Sequence, residues 1–177
     1  IYYIYIKNPK LGKKIMKYLH IALACLLLIF SSCQKAGCND PNATNYSSEA
    51  QKDDGSCLYS PEGQWNLQSY ILNGDDLTSA FSVYKIEIFS DNSYLSEAQV
   101  ASSGAWVDVI GVCSFNNTQT TLSMNNTEVN YYDNNGWVSN NDYSNFDINS
   151  FTSSTLNLSL SSSSNPSISS LEIILQK

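Results

Sequence analysis

Residues 83–100 read VYKIEIFSDNSYLSEAQV. Tyr84, Ile86 and Ile88 alternate with Lys85 and Glu87, so an extended chain puts the apolar set on one face and the charged pair on the other. Asp91-Asn92 supplies turn chemistry, and Asn tolerates the left-handed backbone region. A second run begins at Tyr94. The same period of two returns near the end of the chain. Leu156, Leu158 and Leu160 alternate with Asn157 and Ser159, and Leu171, Ile173 and Leu175 share one face. From Pro61 to Lys177 the sequence shows no convincing helical period. Short β-branched or aromatic runs separated by Asn, Asp, Gly and Ser are the mark of an all-β domain. They predict strands at Gln64–Leu72, Val83–Phe89, Tyr94–Val100, Ala105–Phe115, Thr120–Met124, Glu128–Tyr132, Asn145–Phe151, Thr155–Leu160 and Ser167–Leu175. Asn134-Asn135-Gly136 carries the Asn-Gly signal of a tight hairpin, and Ser161–Ser164 reads as a loop or a solvated strand end. Eight or nine consecutive strands suit an antiparallel up-and-down barrel or a sandwich. A closed barrel would remove the exposed edges that invite aggregation. About eight strands leave an interior that is filled or just holds one small ligand.

Upstream of this region the chain reads as an export signal over residues 1–32. The first Met is Met16; a true start at or near it is favoured, with residues 1–15 upstream of it, and a genuine N-terminal extension is the alternative. Lys13, Lys14 and Lys17 form a basic segment, Ile21 to Phe30 is an unbroken apolar run, and Ser31-Ser32-Cys33 follows. That order describes a secretory signal. The run has ten residues, whereas crossing the hydrocarbon core takes about 20. Ile29-Phe30-Ser31-Ser32-Cys33 resembles a bacterial lipobox, of the looser kind similar to those of the Bacteroidota. The resemblance implies cleavage before Cys33 and acylation of that residue. It also implies an outer-membrane lipoprotein of the cell envelope, on the periplasmic face or the cell surface. Several acyl chains hold a protein to a bilayer far more firmly than one.

Cleavage there leaves all 16 acidic residues but only four lysines, Lys35, Lys52, Lys85 and Lys177, and so a net charge of −12; the chain contains no Arg. No basic face can be built to meet phosphates, which excludes a nucleic-acid partner. An acidic, soluble body outside the cytoplasm is the natural reading. The single His, His20, lies within the signal. The remainder therefore lacks the groups for Ser-His-Asp or Cys-His catalysis and for His-ligated zinc, and no enzyme is expected.

Residues 33–60 form a lipidated linker and a Cys-bounded module, GCNDPNATNYSSEAQKDDGSCLY from Gly37 to Tyr59. It has almost no aliphatic residue and needs a staple. Cys38 and Cys57 flank the Asn/Asp/Gly-rich stretch, which fits a disulfide. With eighteen residues between them, the bridge would contribute about 3 kcal/mol in the chain-entropy model. Cys113, inside an apolar run, reads as a small core residue. Gly37-Cys38, Asp40-Pro41, Ala43, Asn45-Tyr46, Ala50 and Asp53-Asp54-Gly55-Ser56-Cys57 closely resemble a short module common in exported Bacteroidota proteins. Asp40, Asn42, Asn45, Asp53 and Asp54 offer hard oxygen ligands of the kind calcium takes, though not at EF-hand spacing. A solvated, turn-rich spacer is the alternative.

Residues 61–177 carry a second resemblance. Gly63-Gln64-Trp65 opens the first strand as the Gly-x-Trp of lipocalins does. Pro61 to Leu67, Ile86 to Tyr94 and Gly104-Ala105-Trp106 together resemble the lipocalin-like domains of Bacteroidota lipoproteins. Asn92 stands where that pattern has Gly, and the Asn-rich stretch from Tyr131 to Asp147 departs from it. The resemblance implies an up-and-down barrel in which Trp65 seals the closed end of a cup. It implies a small apolar or amphipathic ligand, bound without chemistry. Trp106 and Trp137 are candidates to line the cavity. The alternative is a structural or interaction module, with Tyr131, Tyr132, Trp137 and Tyr143 meeting an envelope protein or a glycan.

Overall fold

The computed structural model describes residues 14, 16–21, 34–132 and 136–177. Cys33, most of the apolar run before it, and Asn134-Asn135 lie outside the described residues. The chain divides into two compact units, Ile1–Ala36 and Gly37–Lys177. Among the described residues no helix is long and apolar enough to cross a membrane.

The second unit is all-β. Its strands are β1 (Gly63–Leu72), β2 (Asp75–Asp76), β3 (Phe81–Ile88), β4 (Ser93–Val100), β5 (Trp106–Phe115), β6 (Thr121–Asn130), β7 (Trp137–Ser139), β8 (Tyr143–Phe151), β9 (Thr155–Ser163) and β10 (Leu171–Gln176). Eight of them, all but the short β2 and β7, form an antiparallel up-and-down barrel. β10 closes it by pairing with β1 from Asn66↔Gln176 to Leu72↔Leu171. Both sides of β1 are thus occupied, by β3 and by β10. The β3–β4 turn forms as its residues require, with Asn92 at φ 65°. The Asp91 carboxylate accepts from the Ser93 N–H at 2.9 Å.

The alternating apolar sets all point into the barrel. Trp65, Ile86, Ile88, Tyr94, Leu122, Phe146, Leu156, Leu158, Ile173 and Leu175 make one continuous core, which includes the free thiol of Cys113. Trp65 is fully buried, at 0% exposure. Gly111 stands opposite Tyr94 across β4 and β5. A Cβ there would collide with the Asn125 carbonyl oxygen and lie 2.9 Å from the Tyr94 ring. The missing side chain is the space through which that ring crosses the barrel.

Three segments differ from the sequence expectation. Thr120–Met124 and Glu128–Tyr132 are not separate strands but parts of the single β6. Its ladder passes from Gly111↔Asn126 to Ile110↔Glu128, leaving Thr127 as an extra residue. Propensity marks the Asn-Asn-Thr stretch as a break. The ladder tolerates it as a bulge, and the Thr127 hydroxyl donates to the Ile110 carbonyl at 3.1 Å. Second, β7 pairs with one part of β6 and β8 with the other, so the two act as one interrupted strand. Third, β10 begins at Leu171 rather than Ser167, because residues 167–170 are drawn into a loop held by Asn73.

Outside the barrel, Lys85 and Glu97 face each other across β3 and β4 at 2.7 Å. Such a partly exposed pair contributes at most about 1 kcal/mol. Asp108, on the outer face of β5, is only 6% exposed. The Tyr132 hydroxyl donates to its Oδ2 at 2.5 Å, and its Oδ1 has no partner among the described residues.

Trp65 is the largest side chain wholly out of water. Its replacement by Ala is expected to cost about 3–5 kcal/mol, as for other core aromatics. In urea titration the midpoint should fall while the slope is unchanged.

Candidate ligand cavity

The two ends of the barrel are built from different chemistry. At the base, Trp65 packs on Phe151 with ring centroids 5.9 Å apart, and Phe151 stacks on Phe115 at 5.7 Å. The Trp65 indole N–H donates to the Pro61 carbonyl at 2.7 Å. The Lys177 ammonium lies 4.6 Å from the Trp65 ring centroid and donates to the Ser60 carbonyl at 3.1 Å.

The disulfide segment completes this end. Cys38 and Cys57 are bonded. Cys38, Ala43 and Tyr59 form a small buried cluster against Phe151, with the Tyr59 and Phe151 rings 5.7 Å apart. Gln119, in the β5–β6 turn, brackets Tyr59. Its side chain accepts from the Tyr59 N–H at 2.8 Å and donates to the Tyr59 carbonyl at 2.6 Å. A segment too polar to make its own core therefore borrows the barrel's.

The five oxygen-bearing residues suggested for calcium serve as braces within this segment. Asp40 Oδ1 accepts from the Asn42 N–H at 2.9 Å, and its Oδ2 from the Tyr59 hydroxyl at 2.8 Å. Asp53 and Asp54 each cap a turn, through the Gly55 N–H and the Ser56 N–H, both at 3.0 Å. Asn45 accepts from the Leu58 N–H at 2.8 Å and donates to the Ser56 carbonyl at 2.6 Å. Among the described residues no three His, Cys, Asp or Glu side chains come together as a metal group.

Away from the base the interior is not filled. A cavity of about 210 Å³ opens among residues from all eight wall strands, including Tyr70, Tyr84, Tyr94, Val109, Asn126, Ser144, Leu158 and Ile173. Among the described residues, none that lines it carries a formal charge. Tyr94 reaches across Gly111 and donates to Asn126 Oδ1 at 2.5 Å. Burial pushes the Tyr70, Tyr84 and Tyr94 hydroxyls above the ordinary tyrosine value.

Protein-family models and curated proteins were compared with the chain. Neither comparison finds a match.

Ile168 also lines the cavity, from the β9–β10 loop. That loop is fastened by Asn73, a residue in the left-handed region at φ 53°. Asn73 Oδ1 accepts from the Ser169 and Ser170 N–H groups at 2.9 and 3.1 Å. Its Nδ2 donates to the Ser167 carbonyl at 3.2 Å.

Neither Trp106 nor Trp137 lines this cavity. Trp106 shares its side of β5 with Asp108, on the outer wall, whereas Val109 and Gly111 face inward. Trp137 stands on β7 and is 43% exposed. The cavity is furnished by tyrosines instead. Tyr84 was legible as part of the inward face with Ile86 and Ile88. Asn126 was not, because an Asn-Asn-Thr stretch looks like a loop. Cys113 is buried as its apolar setting implied, and burial pushes its thiol up to about 11.

The Asp40–Tyr59 contact makes the docking of the base segment depend on pH. Asp40 is held below the ordinary carboxylate value, chiefly by the Asn42 N–H and then by the Tyr59 hydroxyl. Its contribution is present above pH 3.8 and is lost as acid carries the pH through the lowered value. Tyr59 is pushed up to about 12, first by burial and then by Asp40. Its contribution is full below pH 10 and is lost as the pH rises through about 12. The buried cavity tyrosines add their own alkaline loss. The readout is therefore the melting temperature of wild type minus that of Tyr59→Phe, which is expected to shrink between those two pH values.

Proposed function

We propose that this chain is an envelope lipoprotein whose barrel holds a small apolar or amphipathic molecule without chemistry. The cavity at the end away from Trp65 carries the reading. Its roughly 210 Å³ exceeds an engineered apolar cavity of about 150 Å³ that binds benzene. It falls below the roughly 300–1,000 Å³ of drug-sized pockets. Apolar walls with a few polar groups are the usual make-up of such sites.

Binding is favoured over catalysis by what the lining contains. Ser96 and Ser144 offer hydroxyls, but no imidazole, amine or carboxylate lines the cavity with them to act as a base. Anchoring through Cys33 fits the same picture. Cys33 precedes Cys38 by five residues, at most about 18 Å of extended chain. Cys38 belongs to the segment that packs under the base.

The second reading, contact with an envelope protein or a glycan, rests on Tyr131, Tyr132, Trp137 and Tyr143, all exposed along the β6–β8 hairpin. A pull-down from envelope extract that loses its partner on Trp137→Ala would favour it.

Two measurements test the first reading. Native mass spectrometry of protein taken from membranes should show a co-purifying small molecule, or uptake of an added apolar dye. Ser96→Trp, which fills the cavity, should weaken dye binding by about tenfold or more, a loss of at least about 1.4 kcal/mol. Equal binding by the filled variant would reject the cavity as the site. Separately, intact-mass analysis of the membrane fraction should find an acylated Cys33 at the amino terminus. A retained leader or an unmodified terminus would remove the lipoprotein assignment.

A further inference from the structure

We propose that the cavity selects an uncharged ligand bearing a hydrogen-bond acceptor, such as a ketone, ester or ether oxygen on a small apolar body, and excludes carboxylates and ammonium ions. The inference rests on the binding role given above and adds the chemical class of the ligand.

The first argument concerns charge. The described residues lining the cavity are tyrosine, serine, asparagine and apolar side chains, with no Lys, His, Asp or Glu among them. The two lysines of the barrel are committed elsewhere. Lys85 meets Glu97 on the outer wall, and Lys177 covers Trp65 at the base. A carboxylate entering the cavity would shed its water and find no cation, and an ammonium would find no anion. An unpaired buried charge costs far more than one or two neutral hydrogen bonds return. The buried tyrosines report the same environment, because desolvation holds the hydroxyls of Tyr84 and Tyr94 in their neutral form.

The second argument concerns the donors that the Tyr94–Asn126 pair leaves over. Tyr94 and Asn126 make one hydrogen bond to each other. Together they own three donors, one O–H and two N–H, and that bond uses one of them. With the Tyr94 hydroxyl donating to Asn126 Oδ1, both N–H groups of the Asn126 amide remain. With the amide turned over, one N–H and the hydroxyl remain. Either arrangement leaves two donors of the pair beside an apolar space, from which a ligand oxygen can accept.

The test uses the full mature protein and four probes of similar size: 2-octanone, octanoate, octylammonium and toluene. Calorimetry is run at about pH 8, where the carboxylate is ionised and the amine protonated. The ketone is expected to bind about tenfold more tightly than either ion. Asn126→Leu should then lower ketone affinity about fivefold, the worth of roughly one neutral hydrogen bond, and narrow the ketone's advantage over toluene. The wild-type comparison does not depend on that variant folding. Octanoate or octylammonium binding as tightly as the ketone would overturn the ligand class while leaving the cavity as the site. Failure of all four probes, toluene included, would overturn the binding role itself.

Discussion

The closure of β1 against β10 is the constraint from which the rest of the molecule follows. β1 opens the barrel and β10 ends it, so their pairing joins residues more than a hundred positions apart, as in Asn66↔Gln176. An open sheet of these strands would leave one apolar face in water and two edges unpaired. Closure turns that face into an interior and satisfies both edges at once. It also brings Trp65, near the start of β1, into contact with Phe151 at the end of β8, and this pair seals one end.

Sealing one end creates the asymmetry that matters for function. Large rings crowd the base and leave no room there. Toward the other end Gly111 lets the Tyr94 ring cross the barrel, Ser96 and Ser144 are small, and the space that remains beside them is the cavity. The disulfide segment deepens the contrast by adding Tyr59 beneath Phe151. A polar segment whose own residues bury little becomes ordered because the barrel offers it an aromatic surface. The carboxylates within it are engaged in holding turns, which is a sufficient physical reason for their density.

The strands with clean alternation were legible to within one or two residues, because a period of two and a buried face are the same fact seen from two sides. β3 and β4 are examples. The reading failed where hydrogen bonding outweighed propensity. β6 runs through Asn125, Asn126 and Thr127 because its neighbours on both sides hold the ladder. β10 starts late because Asn73, far away in sequence, claims the backbone of Ser169 and Ser170. The cavity followed the same rule. Tyr84 could be assigned inward from its period, whereas Asn126 could be assigned only once Gly111 and Tyr94 were seen beside it.

By itself, then, the sequence determined the class of fold, the inward faces of its regular strands, the pairing of Cys38 with Cys57 and the buried state of Cys113. These are local properties, set by periodicity, turn residues and the placement of two thiols around a segment without a core. Only the tertiary structure decided that the disulfide segment packs on the base, that Trp106 faces outward, and that an uncharged space remains among Tyr70, Tyr84, Tyr94 and Asn126. Those depend on strand register and on which side chains meet across a closed ring, and both are sums over distant residues that no single stretch of sequence contains.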